Sequence, residues 1–395
     1  MAKKKTTTTM QILDTKFFTL KEQETIRKIN AVKEKLDNHF VERSSAIEVM
    51  FVSLLAKHHT LFIGPPGLAK SQLIEEMLGC FTGYELFKWQ INKFTTPDDL
   101  MGKPSLAALR NDQFVRVTEH KLPEANIAYI DEVLNANNST LNVLNGAMNE
   151  RTFEGMNFDL LSVFGATNTV PRKTDLELAA FIDRWLFKLI FGDIHDSRNF
   201  KKLLKIGVFK IDDADKIDRV EIDALIAKVP KVKFVHQIQK LSNVRAHLRK
   251  EEISCSPRRW KQSIEAMQAR AILNGRSSIN GEDMYILKFI LWSEKKNIPV
   301  IEECLDHYID PILASLKKLT GAAQNIKDSI EHLDIHNQQE NQAVSEGMVK
   351  LNRIIVQVEE IGKKDDLPVD IKVLAEKITD RVKEIRDDIS NKIWT

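Results

Sequence analysis

The sequence predicts an α/β fold, a parallel sheet with both faces covered, followed by an all-α remainder. Three observations carry this. Between residues 60 and 191, short apolar runs alternate with helical patterns, the order that builds a parallel sheet. A glycine loop, Gly64-Pro65-Pro66-Gly67-Leu68-Ala69-Lys70-Ser71, joins the first of those runs to a helix. After residue 195 the strand patterns stop, and the C-terminal part carries heptad-like apolar stripes at 3- and 4-residue steps.

The 395 residues, 43% hydrophobic and 29% charged, have the composition of a globular protein with roughly two or three domains. A net charge of +2 gives no general attraction to nucleic acid or membrane. Cys80, Cys255 and Cys304 lie far apart, without metal or redox spacing, and read as reduced thiols of a cytoplasmic protein. The first ten residues are rich in Lys and Thr and lack the apolar core of a signal peptide, so residues 1–15 are expected to be a disordered lead-in. No apolar run approaches membrane-spanning length.

Residues 16–195 are expected to form one nucleotide-binding α/β domain. Ile26, Ile29, Val32 and Leu36 follow helical spacing, and the segment from Ala46 to Leu55 is a denser apolar helix. Glu42 and Arg43 between them read as solvated charge at a helix start. Strands are expected at Thr60–Ile63, Glu85–Ile91, Ile127–Ile130, Leu160–Thr167 and Trp185–Phe191. Helices are expected after the glycine loop, over Ser139–Glu150 and over Asp175–Phe181. Two hairpins are expected, one over Ser105–Thr118 turning at Asn111-Asp112, the other over Arg151–Asp159 around Gly155. Residues 196–235 read as a connecting segment without strands. Residues 236–300 read as an all-α lid, with one helix start at Ser256-Pro257 and another near Asn280-Gly281. Residues 301–395 carry three stripes, among them Leu316, Leu319, Ala323 and Ile326, then Val344, Met348, Leu351 and Ile355, then Ile371, Leu374, Ile378 and Val382. Polar breaks at residues 336–341 and 362–368 separate them. No stripe can be buried alone, so a three-helix bundle is expected.

The glycine loop has the context of a phosphate cradle, between a strand and a helix N-terminus. Lys70 can reach terminal phosphates and the Ser71 hydroxyl can ligate Mg²⁺. Ala69 stands where the usual pattern has a last glycine. Asp131, ending a buried strand, is suited to holding Mg²⁺ through water, and Glu132 to acting as general base. Asn168 can orient a water without adding charge. Arg184 can serve as a finger reaching a neighbouring subunit's phosphate, or pair with Asp183. Arg258 and Arg259 both sit in the first turn of the Ser256-capped helix, where a cation opposes the dipole and suggests an anionic ligand. The residues alone do not choose between those two.

These motifs, GPPGLAKS, YIDE, GATN, FIDRW and SPRRW, resemble in order and spacing those of AAA+ ATPases. The match is closest to the MoxR group and its RavA-like branch, which has alanine at the Ala69 position, and it covers about residues 35–295. The resemblance implies that Gly64, Pro65, Pro66, Gly67, Leu68, Ala69, Lys70, Ser71 and Gln72 bind ATP, with Ser71 and Asp131 on Mg²⁺. It makes Glu132, Asn168, Arg184 and Arg258 the catalytic set, as general base, first sensor, trans-acting finger and lid sensor. The two hairpins look like insertions that face a central pore, and the last three helices look like the RavA triple-helical domain, without its small β-rich domain. A homo-oligomeric ring, a hexamer, is implied, with a von Willebrand factor A (VWA) domain partner and an ATP-driven chaperone activity on protein clients. Two alternatives compete. One is an ATPase acting on DNA, favoured by Lys103, Arg110, Arg116 and Lys121 but opposed by the near-neutral total charge. The other is a nucleotide-switched scaffold.

Overall fold

The computed structural model describes residues 13–168, 176–194, 197–235, 237–330, 338–364 and 369–394. The chain divides into two compact units, Met1–Gln239 with Ile253–Lys295, and Lys240–Glu252 with Lys296–Thr395. The boundary between them falls within residues 236–300, the expected all-α lid.

The strands of the first unit are β1 (Thr60–Ile63), β2 (Phe81–Thr82), β3 (Leu86–Gln90), β4 (Ile127–Asp131), β5 (Thr152–Phe153), β6 (Met156–Asn157), β7 (Ser162–Thr167), β8 (Phe187–Ile190) and β9 (Ile217–Asp218). Five of them form a parallel sheet in the order β3-β4-β7-β1-β8. Their side chains are buried on both faces where the runs are continuously apolar, as in β1 and β7. Gly165 in β7 is required by packing: a Cβ there would lie 2.5 Å from the ring of Trp185, a fully buried side chain. Because every strand runs the same way, the turns after β1, β4 and β7 gather at one edge of the sheet, and the segments leading into β1, β7 and β8 gather at the other.

Helix Leu20–His39 buries Ile26, Ile29, Val32 and Leu36 as their spacing requires, and starts at a Thr19–Glu22 capping box. Ser44–Leu55 is buried along most of its length, packed against β1 and β8 on one side and helix Pro257–Leu273 on another. The antiparallel β5–β6 pair turns at Glu154-Gly155, where both residues take positive φ.

Four expectations are corrected. The segment 105–118 is not a pair of strands: Ser105 caps a short helix, Leu106–Leu109, and the ladder is limited to the base, where Ser105 and Val117 donate to Val115 and Lys103 carbonyls. Ala107 and Ala108 favour that helix over a strand. The segment 196–235 does contain a strand, β9, which pairs parallel with β2. Its two residues are too few to display a period. Residues 13–15, placed in the lead-in, are held: Leu13 is buried, and Asp14 N donates to Gly275 O at 3.0 Å. The helix near Asn280 is a 3₁₀ helix, Glu282–Phe289, with Asn280 and Asp283 capping one another.

In the second unit, helices Pro311–Ile330, Gln338–Gly362 and Val369–Trp394 pack pairwise around Leu316, Ala323, Val344, Leu351, Val358, Val382 and Ile385. The second of these begins at Gln338, inside the polar break expected over 336–341. Ile371 falls among residues whose side chains lie outside those described.

Candidate nucleotide site

The loop after β1 is shaped by two left-handed residues, Gly67 (φ +82) and Ala69 (φ +59). A residue other than glycine in that region costs on the order of 1 kcal/mol, so Ala69 holds mild strain. Lys70 opens the helix Lys70–Leu78 and is only 7% exposed. Its Nζ donates to Gly64 O at 2.6 Å, Pro65 O at 2.8 Å and Asn168 Oδ1 at 3.0 Å. Burial pulls its pKa down, an effect that Asp131 and Glu132 oppose. An ammonium with three neutral oxygens as hydrogen-bond partners suits a polyanion, and the loop geometry fits a nucleotide's phosphates.

Ser71 Oγ donates to Asp131 Oδ2 at 3.3 Å, and Asp131 Oδ1 accepts from Glu132 N at 2.9 Å. No group of three or more His, Cys, Asp or Glu able to hold a metal occurs among the described residues. A hydroxyl beside one carboxylate is the oxygen donor set that Mg²⁺ uses when phosphate and water complete its shell, so these residues fit Mg²⁺ bound with ATP. Glu132 itself has φ +51, in the left-handed region that favours glycine. Its carboxylate accepts from Asn135 Nδ2 at 3.3 Å and from Asn168 Nδ2. Asn168 therefore bridges Lys70 and Glu132 with the two ends of one amide.

A pocket of about 300 Å³ adjoins the loop, lined by Phe40, Val41, Leu203 and Ile206 together with Leu68 and Gln72. Arg43 lines it too and is not a solvated charge. Its guanidinium lies 4.9 Å from the Phe191 ring centroid, Nη2 donates to Gly192 O at 2.9 Å, and burial lowers its pKa. The apolar pair Phe40-Val41, at the end of helix Leu20–His39 and one helix and one strand ahead of the glycine loop, carries no local signal for this pocket.

Arg184 and Arg258 lie elsewhere. They line a cavity of about 630 Å³ with Lys57, His58 and Arg151, where the chain enters β1 and β8. That is the N-terminal edge of the sheet, whereas Lys70, Asp131 and Asn168 follow the C-terminal ends of their strands. The four residues of β1 separate the two edges by about 13 Å. One chain does not bring the arginines to its own glycine loop. Arg184 Nη1 donates to Ala180 O, and its Nε is buried without a hydrogen bond. Arg258 is exposed, and its Nη2 donates to Asn149 Oδ1 at 2.7 Å.

Asp183 does not pair with Arg184; it pairs with Arg259 at 2.7 Å. Arg259 is 5% exposed and also donates to Ile290 O at 2.9 Å, Asp183 O at 2.8 Å and Leu186 O at 3.3 Å. Those carbonyls and the carboxylate offset the unfavourable helix dipole, which explains a cation in that first turn. In the cavity wall, His59 Nδ1 accepts from Val163 N at 3.0 Å, so its Nε2–H donates to Met148 O at 2.9 Å. Burial drives the pKa of this ring down to about 3.

The two insertions are clasped by Arg116. It is bound to Glu154 through Nε at 2.7 Å, to Asp98 at 2.6 Å and to Gly102 O at 2.7 Å, between the rings of Phe114 and Phe153. Lys121 donates to Asp99 O and lies over Trp89. Two of the four cations counted toward DNA contact are thus engaged internally. Leu106, Phe114, Val115 and Val117 of the first insertion are exposed.

A parallel sheet with a Lys70–Ser71 phosphate loop and the Asp131–Glu132 pair two strands away defines an AAA+ ATPase. The comparisons narrow the class. A family described as the MoxR domain in the MoxR-vWA-beta-propeller ternary systems matches residues 27–231, and the AAA lid domain matches residues 236–305. The chain belongs to the MoxR group of AAA+ ATPases. Two uncharacterized proteins of Methanocaldococcus jannaschii are similar: one is 33% identical over 317 residues, spanning 79% of this chain and 82% of the relative. The other is 36% identical over 275 residues, 67% of this chain and 72% of the relative. The crystal structure of a presumed ATPase from Cytophaga hutchinsonii aligns with a TM-score of 0.57 at 16% identity, over 72% of this chain and 95% of that one, a likeness of fold. Among the described residues no helix is long and apolar enough to cross a membrane.

Proposed function

We propose that the chain is an ATP-hydrolysing, ring-forming MoxR-type chaperone of the cytoplasm that remodels protein clients together with a VWA-domain partner. The observation that carries this is the division of the catalytic set between two edges of one sheet. Lys70, Ser71, Asp131, Glu132 and Asn168 converge at one edge, and Arg184 and Arg258 at the other. Such halves complete one another only between copies packed head to tail, an arrangement that gives a ring when the rotation between copies closes; the family resemblance favours a closed ring of six.

ATP with Mg²⁺ supplies the bond to be broken and a metal that offsets charge on the phosphates. In this reading Gly64 to Gln72 bind the phosphates, and Lys70 adds the charge that burial has made costly to leave unused. Phe40, Val41, Leu203 and Ile206 take the base. Ser71 and Asp131 hold the metal. Glu132, fixed by Asn135 and Asn168, accepts a proton from the attacking water, and Asn168 aligns that water. Arg184 and Arg258 stabilise charge in the site of an adjacent copy; Arg258 takes this role because Arg259 is engaged in holding the Asp183–Leu186 turn. The VWA partner is supported by the family's occurrence in MoxR-vWA-beta-propeller ternary systems, and the RavA-like kinship by the C-terminal three-helix segment. Internal engagement of Arg116 and Lys121 favours a protein client over DNA.

The test is Glu132→Gln. It should retain ATP binding and assemble into a ring seen by sedimentation, while turnover falls by about 100-fold or more. Turnover at the wild-type rate would remove the general base from the scheme. Strong stimulation of ATPase by DNA, with none by VWA proteins, would overturn the chaperone reading.

A further inference from the structure

Arg151 has no role in the catalytic set, yet it lines the same cavity as Arg184 and Arg258. It follows helix Asn138–Asn149 and opens the β5–β6 hairpin, which closes where Phe158 N donates to Arg151 O at 2.8 Å. Its φ is +53, a left-handed conformation that favours glycine and is mildly strained in an arginine. Nη2 donates to Lys57 O at 2.7 Å, whereas Nε is buried and makes no hydrogen bond. Partial burial lowers its pKa.

The charge balance of the cavity is one-sided. Lys57, Arg151, Arg184 and Arg258 line it against one carboxylate, Glu265, and that carboxylate is occupied by His58 Nε2 at 2.7 Å. Two of these guanidinium groups, those of Arg151 and Arg184, share the same feature of a buried Nε without a partner. Guanidinium groups in that number, around about 630 Å³ of space, match a ligand with several anionic oxygens, because each planar fork engages two of them.

We propose that Arg151 is a third polyphosphate-binding arginine, acting beside Arg184 and Arg258 on the nucleotide of an adjacent copy. This rests on the trans reading given above. The shared chemistry is a polyphosphate; its sources are the neighbour's ATP or a free anion, and the experiment separates them.

The first arm uses the full chain carrying Lys70→Ala, which disables its own phosphate loop. Inorganic tripolyphosphate, titrated at protein concentrations too low for assembly, should raise its thermal midpoint. Adding Arg151→Ala should weaken that binding by about 10-fold, and Arg151→Lys by less. An unchanged affinity would overturn the proposal. A purely structural role through the Lys57 bond would lower the midpoint without ligand and leave the affinity alone. The second arm mixes Arg151→Ala subunits with Lys70→Ala subunits. Restored ATPase, in roughly one interface in four for random mixing, is expected, and no restoration counts against action on the neighbour's nucleotide. The same mixture made with Arg184→Ala is the control for the trans reading itself. If Arg184 is complemented and Arg151 is not, only the present proposal falls. If neither is complemented while tripolyphosphate still binds through Arg151, the cavity is a site for a free anion and the trans reading falls.

Discussion

His59 offers a quantitative test of how the cavity is supported. Its ring is buried, accepting from Val163 N and donating to Met148 O, and thereby ties the entrance of β1 to the last turn before Asn149 and Arg151. A solvated imidazole titrates near 6.5, and this one at about 3, chiefly through burial, with His58, Arg151 and Arg258 adding repulsion. Between these values the unfolded chain binds a proton that the folded chain refuses. Folding stability therefore rises with pH across the window from 3 to 6.5 and falls as pH drops through it. At pH 5 the unfolded ring is protonated about 30 to 1, a loss of about 2 kcal/mol; at pH 3 the loss reaches about 4 kcal/mol. His59→Gln removes the titration while keeping an amide donor and acceptor. The variant should be less stable than the wild type at pH 8 by about 1–3 kcal/mol for imperfect hydrogen bonds. Urea unfolding followed by tryptophan fluorescence at pH 8 and pH 5 should show that deficit narrowing by about 2 kcal/mol at the lower pH. A deficit constant with pH would mean that the ring is not held neutral, and the account of its burial would be wrong.

Two further outcomes follow from the site. Ala69→Gly relieves a left-handed alanine and should raise stability by about 1 kcal/mol in thermal unfolding, with ATP binding retained; a loss of stability would show that the loop gains more from alanine's restricted unfolded state. Arg259→Leu strands the buried carbonyls of Ile290 and Leu186 and should cost about 3 kcal/mol, whereas Arg258→Ala, on an exposed side chain with one hydrogen bond, should cost under about 1 kcal/mol. Equal losses in calorimetry would remove the distinction between an internal tie and a surface group.

The phosphate loop, the Asp131–Glu132 pair and the end of β7 at Asn168 were legible because each is a local signal: an apolar run, then a turn carrying polar groups. Asn168 as a bridge between Lys70 and Glu132 was not legible, since it depends on β7 lying between β1 and β4, and pairing order is not written in any one segment. The same non-local fact hides the separation of Arg184 and Arg258 from the glycine loop. Arg43 and Arg151 were passed over because a charged residue beside a helix end reads as solvated until a ring or a cavity is found next to it. The three-helix segment was legible from its stripes alone, apart from the helix start at Gln338, where polar residues carry no phase.

The Arg116 clasp bears on how such chains diverge. One guanidinium joins Asp98, Gly102 and Glu154, three positions spread over 57 residues of sequence, so the two insertions are structurally coupled. Replacing the first insertion removes Arg116 and leaves the Asp98 and Glu154 carboxylates without their cation, whereas replacing the Glu154 hairpin alone leaves Arg116 with one carboxylate fewer. Transplanting either loop alone should cost stability that transplanting both together retains, which makes the pair, and not the single loop, the unit to graft.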